Sequence, residues 1–200
     1  MANQILVIDT ETTGLDPAKN SLWQIGIYYV DPQGKAYTAN FKCKPLDIDN
    51  ITDEALQVCH TSKEELMQLP DAKVMYEQFR NFLLSCCALQ TPLIWVGYNC
   101  KFDQAFVDNF LKAFDSQDSI WKYFRHHHSV DMFEYMKLLK SSGLFESDSL
   151  RLEVAYKLFG ISEDTAHDAC QDSYVTYLLY QWATDTIRKG FLQNQKLMEV

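Results

Sequence analysis

The sequence predicts an α/β sheet covered by helices, on three observations. Strand-like apolar runs come first, between residues 4 and 44, and a later run at 93–99 is followed directly by a helix-period segment. The remainder of the chain carries helical periodicity. With 47% hydrophobic and 14% aromatic residues in 200, the chain buries a sizeable core as one domain without a disulfide or zinc staple.

Gln4-Ile5-Leu6-Val7-Ile8-Asp9 is a short apolar run ending in an acid, as a buried central strand requires. Leu22 to Val30 forms the second strand, closed by the turn Asp31-Pro32-Gln33-Gly34, and Lys35 to Lys44 returns beside it as an antiparallel meander. Between residues 52 and 90 the apolar positions Leu66, Leu69, Val74, Phe79, Phe82 and Leu83 take a helical period, broken at Pro70. Leu93 to Asn99 is a fourth strand and Asp103 to Phe114 an amphipathic helix. Val130-Asp131 begins a short edge strand, with Met132 to Leu139 helical. Leu150 to Phe159 is a helix stopped by Gly160, and Thr165 to Ile187 is the last long one. No repeat or Gly/Ser-rich linker divides the chain, so residues 1–200 are expected to form one domain with a helical tail over 181–200.

Eighteen Lys and Arg against 27 Asp and Glu leave a net charge of −9. That sign opposes a duplex-DNA binder built on many phosphate contacts, whose affinity comes from cationic side chains. A nucleic-acid enzyme that holds phosphate through metal ions is not excluded, since two divalent cations add four positive charges where the phosphate sits. Cys43, Cys59, Cys86, Cys87, Cys100 and Cys170 form no C-x-x-C pair, which fits reduced thiols in a cytoplasmic protein. No leader-like amino terminus and no apolar stretch of membrane-spanning length is present.

Three short segments carry chemistry. In Asp9-Thr10-Glu11, positions i and i+2 of a strand share a face, so both carboxylates project together and need a cation or hydrogen-bond network. Hard oxygen donors of this kind suit Mg²⁺ or Mn²⁺, although a solvated strand end reads the same way. Asn99-Cys100-Lys101-Phe102-Asp103 puts an acid where a strand meets a helix, at the sheet edge where ligands gather. His167-Asp168-Ala169-Cys170-Gln171-Asp172 opens the last helix. His167 and Asp172 do not stack on one helical face, so they flank one site only if His167 lies on the segment leading into the helix. Asp168 reads as a first-turn acid.

In order, D-T-E-T-T-G-L, N-x-x-F-D and H-x-A-x-x-D resemble the three motifs of the DEDD exonuclease superfamily. The histidine marks the DEDDh branch, which includes the proofreading exonuclease subunit of bacterial replicative DNA polymerase. The resemblance runs from about residue 5 to 180 and takes in Gln24-Ile25-Gly26 and the Leu152–Ile161 segment. It implies an RNase H-like mixed β-sheet flanked by helices and a 3′–5′ exonuclease dependent on two divalent cations, Mg²⁺ or Mn²⁺. By position, Asp9, Glu11, Asp103 and Asp172 match the metal-binding acids and His167 the general base; imidazole suits that role near neutral pH. Thr12, Thr13, Gly14, Leu15, Asn99 and Phe102 match the residues that hold the terminal nucleotide. The implied partners are the 3′ end of single-stranded or frayed DNA and a polymerase or other replication or repair protein.

Two departures stand out: Tyr98 where the family often has His, and Cys59-His60-Thr61-Ser62 where a H-G-I element is common. The same chemistry on RNA is the alternative, although D-T-E-T-T-G-L is closer to the proofreading branch than to the D-M-E-M-T-G-L of oligoribonucleases. A non-catalytic binding module would usually have lost acids, and an RNase H-type endonuclease offers no role for N-x-x-F-D. Trp121 to His128 mixes aromatic and basic residues and reads as a helix end or loop, with nucleic-acid contact as the sharper alternative. Arg188, Lys189 and Lys196 read as a solvated tail.

Overall fold

The computed structural model describes residues 3–86, 93–114 and 129–198. Trp121 to His128 therefore lies outside the described residues. Five strands form one mixed sheet in the order β3-β2-β1-β4-β5. They are β1 (Gln4–Thr12), β2 (Leu22–Val30), β3 (Ala36–Lys42), β4 (Leu93–Gly97) and β5 (Ser129–Asp131). The first three make the expected antiparallel meander, and β4 and β5 add in parallel beside β1. The helices are α1 (Asp53–Val58), α2 (Lys63–Met67), α3 (Ala72–Cys86), α4 (Cys100–Lys112), α5 (Met132–Ser141), α6 (Glu153–Phe159) and α7 (Ala169–Met198).

The two-residue alternation of β1 separates two cores. Leu6 and Ile8 face a cluster with Ile25, Ile27 and Trp95 under Met75 and Phe79 of α3 and Phe106 of α4. Val7 faces the other way, with Val96, Met132, Met136, Tyr156, Val175 and Leu179 from α5, α6 and α7. Each large side chain buried this completely contributes about 1.5–3 kcal/mol. Those two apolar layers hold the acid-bearing strand end between them.

Gly26 sets how closely α7 approaches. It lies opposite Asp9 on β2, and a Cβ added there would come within 2.0 Å of the Ala169 carbonyl carbon. No side chain fits at position 26 between β2 and the start of α7.

Three helix starts differ from the sequence expectation: α6 begins at Glu153 and not at Leu150, and the starts of α4 and α7 shift as well. α4 begins at Cys100 and not at Asp103, because the Asp131 carboxylate at the end of β5 accepts from the backbone N–H of Asn99 (2.9 Å) and Cys100 (3.1 Å). Asn99 takes a left-handed conformation, φ 70°, to make that turn. α7 begins at Ala169 and not at Thr165, which sits in a 3₁₀ turn at Glu163–Thr165. His167, at φ 64°, separates the two. Of the expected tail over 181–200, residues 181–198 continue α7 as helix, with Arg188 and Lys189 exposed; the Lys196 side chain lies outside the described residues. Gly160 does end α6 in a left-handed cap, φ 65°.

Candidate active site

β1 delivers Asp9 and Glu11 to the same face, the one covered by α7, and the ladder register slips between Glu11 and Thr12. Asp172, three residues into α7, is buried beside them. Asp9, Glu11 and Asp172 each offer a carboxylate oxygen, and the three atoms lie within 4.8 Å of one another. Asp103 approaches from the first turn of α4, buried, and accepts a hydrogen bond from the Thr10 hydroxyl at 2.8 Å. The side chains that β1, α4 and α7 carry thus converge on the end of β1. His167 lies on the segment leading into α7, clear of the helical register that would have separated it from Asp172.

The electrostatics follow from this crowding. Among the described residues, no lysine or arginine pairs with Asp9, Glu11, Asp103 or Asp172. Burial and then the charges of Asp103, Asp172 and Glu11 hold Asp9 well above the usual carboxylate range. Burial pushes Glu11 up to about 8, against a lowering hydrogen bond from Cys59. It likewise pushes Asp103 to about 7 and Asp172 to about 6, with Thr10 and Tyr156 respectively lowering them. Anionic oxygens held this close without a cation store repulsion that a hard divalent ion relieves. The donor set, carboxylates only, fits Mg²⁺ or Mn²⁺.

Among the described residues, three neutral side chains donate to these acids: the Thr10 hydroxyl to Asp103, the Cys59 thiol to Glu11 Oε2 (3.0 Å), and the Tyr156 hydroxyl to Asp172 Oδ1. The His167 backbone N–H donates to Asp172 Oδ2 at 3.2 Å. Its imidazole Nε2 lies 3.6 Å from Glu153 Oε1 on α6. Asp168 caps α7, accepting from the N–H groups of Cys170 (3.1 Å) and Gln171 (3.3 Å), as a first-turn acid should. Its other oxygen accepts from the Gln24 side chain at 3.0 Å and lies 3.7 Å from Lys42 Nζ.

A cavity of about 790 Å³ opens beside Glu11, between the 12–20 loop and α1. Thr12, Gly14, Leu15 and Phe102 line it, together with Cys59 and Val58. Leu15 is 85% exposed, an apolar side chain left without protein cover. Gly14 has the Asn20 side chain against it, within 2.5 Å of any added Cβ. Thr13 and Asn99 do not line this cavity. Thr13 is tied back, its N–H donating to Ser21 O (2.8 Å) and its hydroxyl to Asn50 O (3.3 Å). Asn99 is exposed at the α4 cap.

Cys59, Glu153, Tyr156 and Gln24 touch site residues and were not singled out for it from the sequence. The unusual Cys59-His60 pair was the available signal for the first: Cys59 reaches Glu11, while His60 turns outward at φ 49°. Cys43 and Cys100 are buried, Cys59 and Cys170 half-buried, and all four are free thiols. Among the described residues, no helix is long and apolar enough to cross a membrane.

Comparison with known proteins gives a consistent set. The family model RNase T, described as Exonuclease, matches residues 6–180. No curated protein matches the chain. Among solved structures, the zinc-bound complex of E. coli exonuclease I with single-stranded DNA aligns at TM-score 0.73 and 21% identity, over 98% of this chain and 43% of its own. The same enzyme with a dT13 oligonucleotide gives 0.72 and 22%, over 96% and 43%. Cell-death related nuclease 4 gives 0.72 and 16%, over 92% and 64%. At these identities the structures establish a shared fold, and the chain spans less than half the length of exonuclease I.

Proposed function

The chain belongs to the exonuclease family, and on that premise we propose that it is a metal-dependent 3′–5′ exonuclease releasing nucleoside monophosphates from single-stranded or frayed DNA ends. One observation carries the proposal: Asp9, Glu11 and Asp172 bring carboxylate oxygens within 4.8 Å of one another, with no lysine or arginine among the described residues paired to them. Asp9, Glu11 and Asp172, with Asp103 beside them, would hold the two cations. Bound there, divalent cations supply Lewis-acid polarisation of the phosphate and a lowered pKa for the attacking water.

The chain's own residues do the rest. His167, tethered by its backbone to Asp172 and with its imidazole beside Glu153, takes the proton from the attacking water. Thr12, Gly14, Leu15 and Phe102 receive the terminal nucleotide in the cavity beside Glu11, with Leu15 and Phe102 offering apolar surface to the base. Thr13 and Asn99 serve by shaping the loop and the α4 start. The described residues act as one domain in this reading. Complexes of E. coli exonuclease I with single-stranded DNA, a protein of the same fold, support the choice of substrate. The expected polymerase partner draws no support from these neighbours and forms no part of the proposal.

The test is digestion of 5′-labelled DNA and RNA oligonucleotides with Mg²⁺ or Mn²⁺, with and without chelator. The proposal expects a ladder shortening one nucleotide at a time on DNA, abolished by chelator. Faster trimming of RNA reassigns the substrate to RNA, and cleavage that persists in chelator or cuts a circular strand overturns the exonuclease assignment.

A further inference from the structure

Tyr156 lies in the Leu152–Ile161 segment, outside the three acid-bearing motifs, yet its side chain reaches Asp172 at the centre of the site. It sits in the middle of α6, is 0% exposed, and packs with Val7, Val96 and Val175 in the cluster between α7 and the sheet. α6 is pinned at its far end, where Gly160 forms the left-handed cap and the Ile161 N–H donates to Tyr156 O at 2.9 Å. The Tyr156 ring therefore has no freedom to follow a moving partner. Its hydroxyl donates to Asp172 Oδ1.

We infer that Tyr156 is a positioning residue for the proposed reaction: its hydroxyl fixes the Asp172 carboxylate in the orientation that presents it to Asp9 and Glu11. The inference rests on the exonuclease reading above. Asp172 is held at both oxygens, Oδ1 by Tyr156 and Oδ2 by the His167 N–H at 3.2 Å. Two donors on one short side chain leave it a single orientation, and each oxygen keeps a further lone-pair site for a cation.

The chemistry of the donor matters as much as its place. A lysine or arginine there would neutralise Asp172 and compete with the cation. A phenol holds the carboxylate while leaving its charge available. Thr10 and Cys59 treat Asp103 and Glu11 in the same way, but Tyr156 combines a large rigid ring with complete burial. Water has no access to replace its hydroxyl. Losing an outer partner of a metal ligand typically weakens metal binding about 10- to 100-fold.

The experiment is Mn²⁺ titration by calorimetry on the full chain, comparing wild type, Tyr156→Phe and Asp9→Asn, with circular dichroism to establish folding. Tyr156→Phe should bind Mn²⁺ about 10- to 100-fold more weakly. On a DNA oligonucleotide it should lose kcat with KM little changed, and raising Mn²⁺ should recover part of that loss. A tyrosine that merely fills the core would lower the melting temperature and leave the Mn²⁺ affinity within twofold of wild type, which overturns the inference. Tyr156→Met, which fills the space without a hydroxyl, replaces the Phe variant if that one does not fold. Asp9→Asn separates the two levels. If it weakens Mn²⁺ binding and Tyr156→Phe does not, only the role of Tyr156 fails; if it binds Mn²⁺ as wild type does, the metal site itself fails and the inference with it.

Discussion

Gly26→Ala adds one methyl group at a residue with no proposed contact to substrate, and should nevertheless lower both stability and the proposed activity. The added Cβ meets the Ala169 carbonyl carbon at 2.0 Å, its oxygen at 2.1 Å and the Cys170 nitrogen at 2.2 Å, where ordinary contact begins at 3.4 Å. α7 must therefore back away from β2 by more than an ångström. All three obstructing atoms are backbone at the first turn of α7, so no side-chain rotation relieves the clash. Overpacking of this kind costs about 1–3 kcal/mol, and with backbone on both sides the upper end applies. For a chain of about 200 residues, 3 kcal/mol lowers Tm by about 6–12 °C. The displaced turn carries Asp172 and is entered through His167, whereas Asp9 faces it from β1 in register with Gly26. A misplacement near 1 Å costs about a hundredfold in rate. Thermal melts and single-turnover digestion of a labelled strand measure both. A variant within 2 °C and threefold of wild type would refute the claim that Gly26 sets the approach of α7 to the acids.

Other outcomes follow from the charge distribution. In chelator, Tm should fall as pH rises from about 5 to 9: Asp9, Glu11, Asp103 and Asp172 all have pKa values raised on folding, so their stabilisation is complete below the unfolded value near 4 and is lost as pH rises, through about 6 for Asp172, about 7 for Asp103 and about 8 for Glu11, with Asp9 acting in the same direction. Asp9→Asn should flatten that slope, and melts across the pH series would contradict the argument by showing the same decline in both proteins. At 100-fold excess over Kd, metal should add about 2.7 kcal/mol to wild-type stability and distinctly less to Asp9→Asn, read as the metal-induced shift in Tm. His167→Ala should lose about 10²–10⁴ in kcat while its Mn²⁺ affinity by calorimetry stays near wild type; a defect confined to metal affinity would remove His167 from the proton transfer.

The sequence made the strands legible because their ends are marked locally. β2 begins and ends where its apolar run does, and Asp31 closes the following turn by accepting from the N–H groups of Gln33 and Lys35. The three acid-bearing segments were legible for the same reason, each being contiguous. Helix starts were less so. The α4 cap comes from Asp131, 31 and 32 residues further along the chain, and His167 adopts a left-handed conformation that its residue type does not announce. Contacts among side chains were hidden by sequence distance: Tyr156 to Asp172 spans 16 residues, Cys59 to Glu11 spans 48, and Gln24 to Asp168 spans 144. A periodicity argument places such residues in a core or at a helix end and says nothing of the partner waiting across the fold.

The central claim is that β1 and α7, joined by the first turn of α4, build a divalent-cation site from side chains distant in sequence. Anomalous diffraction from crystals grown with Mn²⁺ and a nucleoside 5′-monophosphate tests it most directly. The account predicts a manganese peak bound by Asp9, Glu11 and Asp172, with the nucleotide base against Leu15 and Phe102. Manganese bound elsewhere on the chain, with those three carboxylates free of metal, would contradict it.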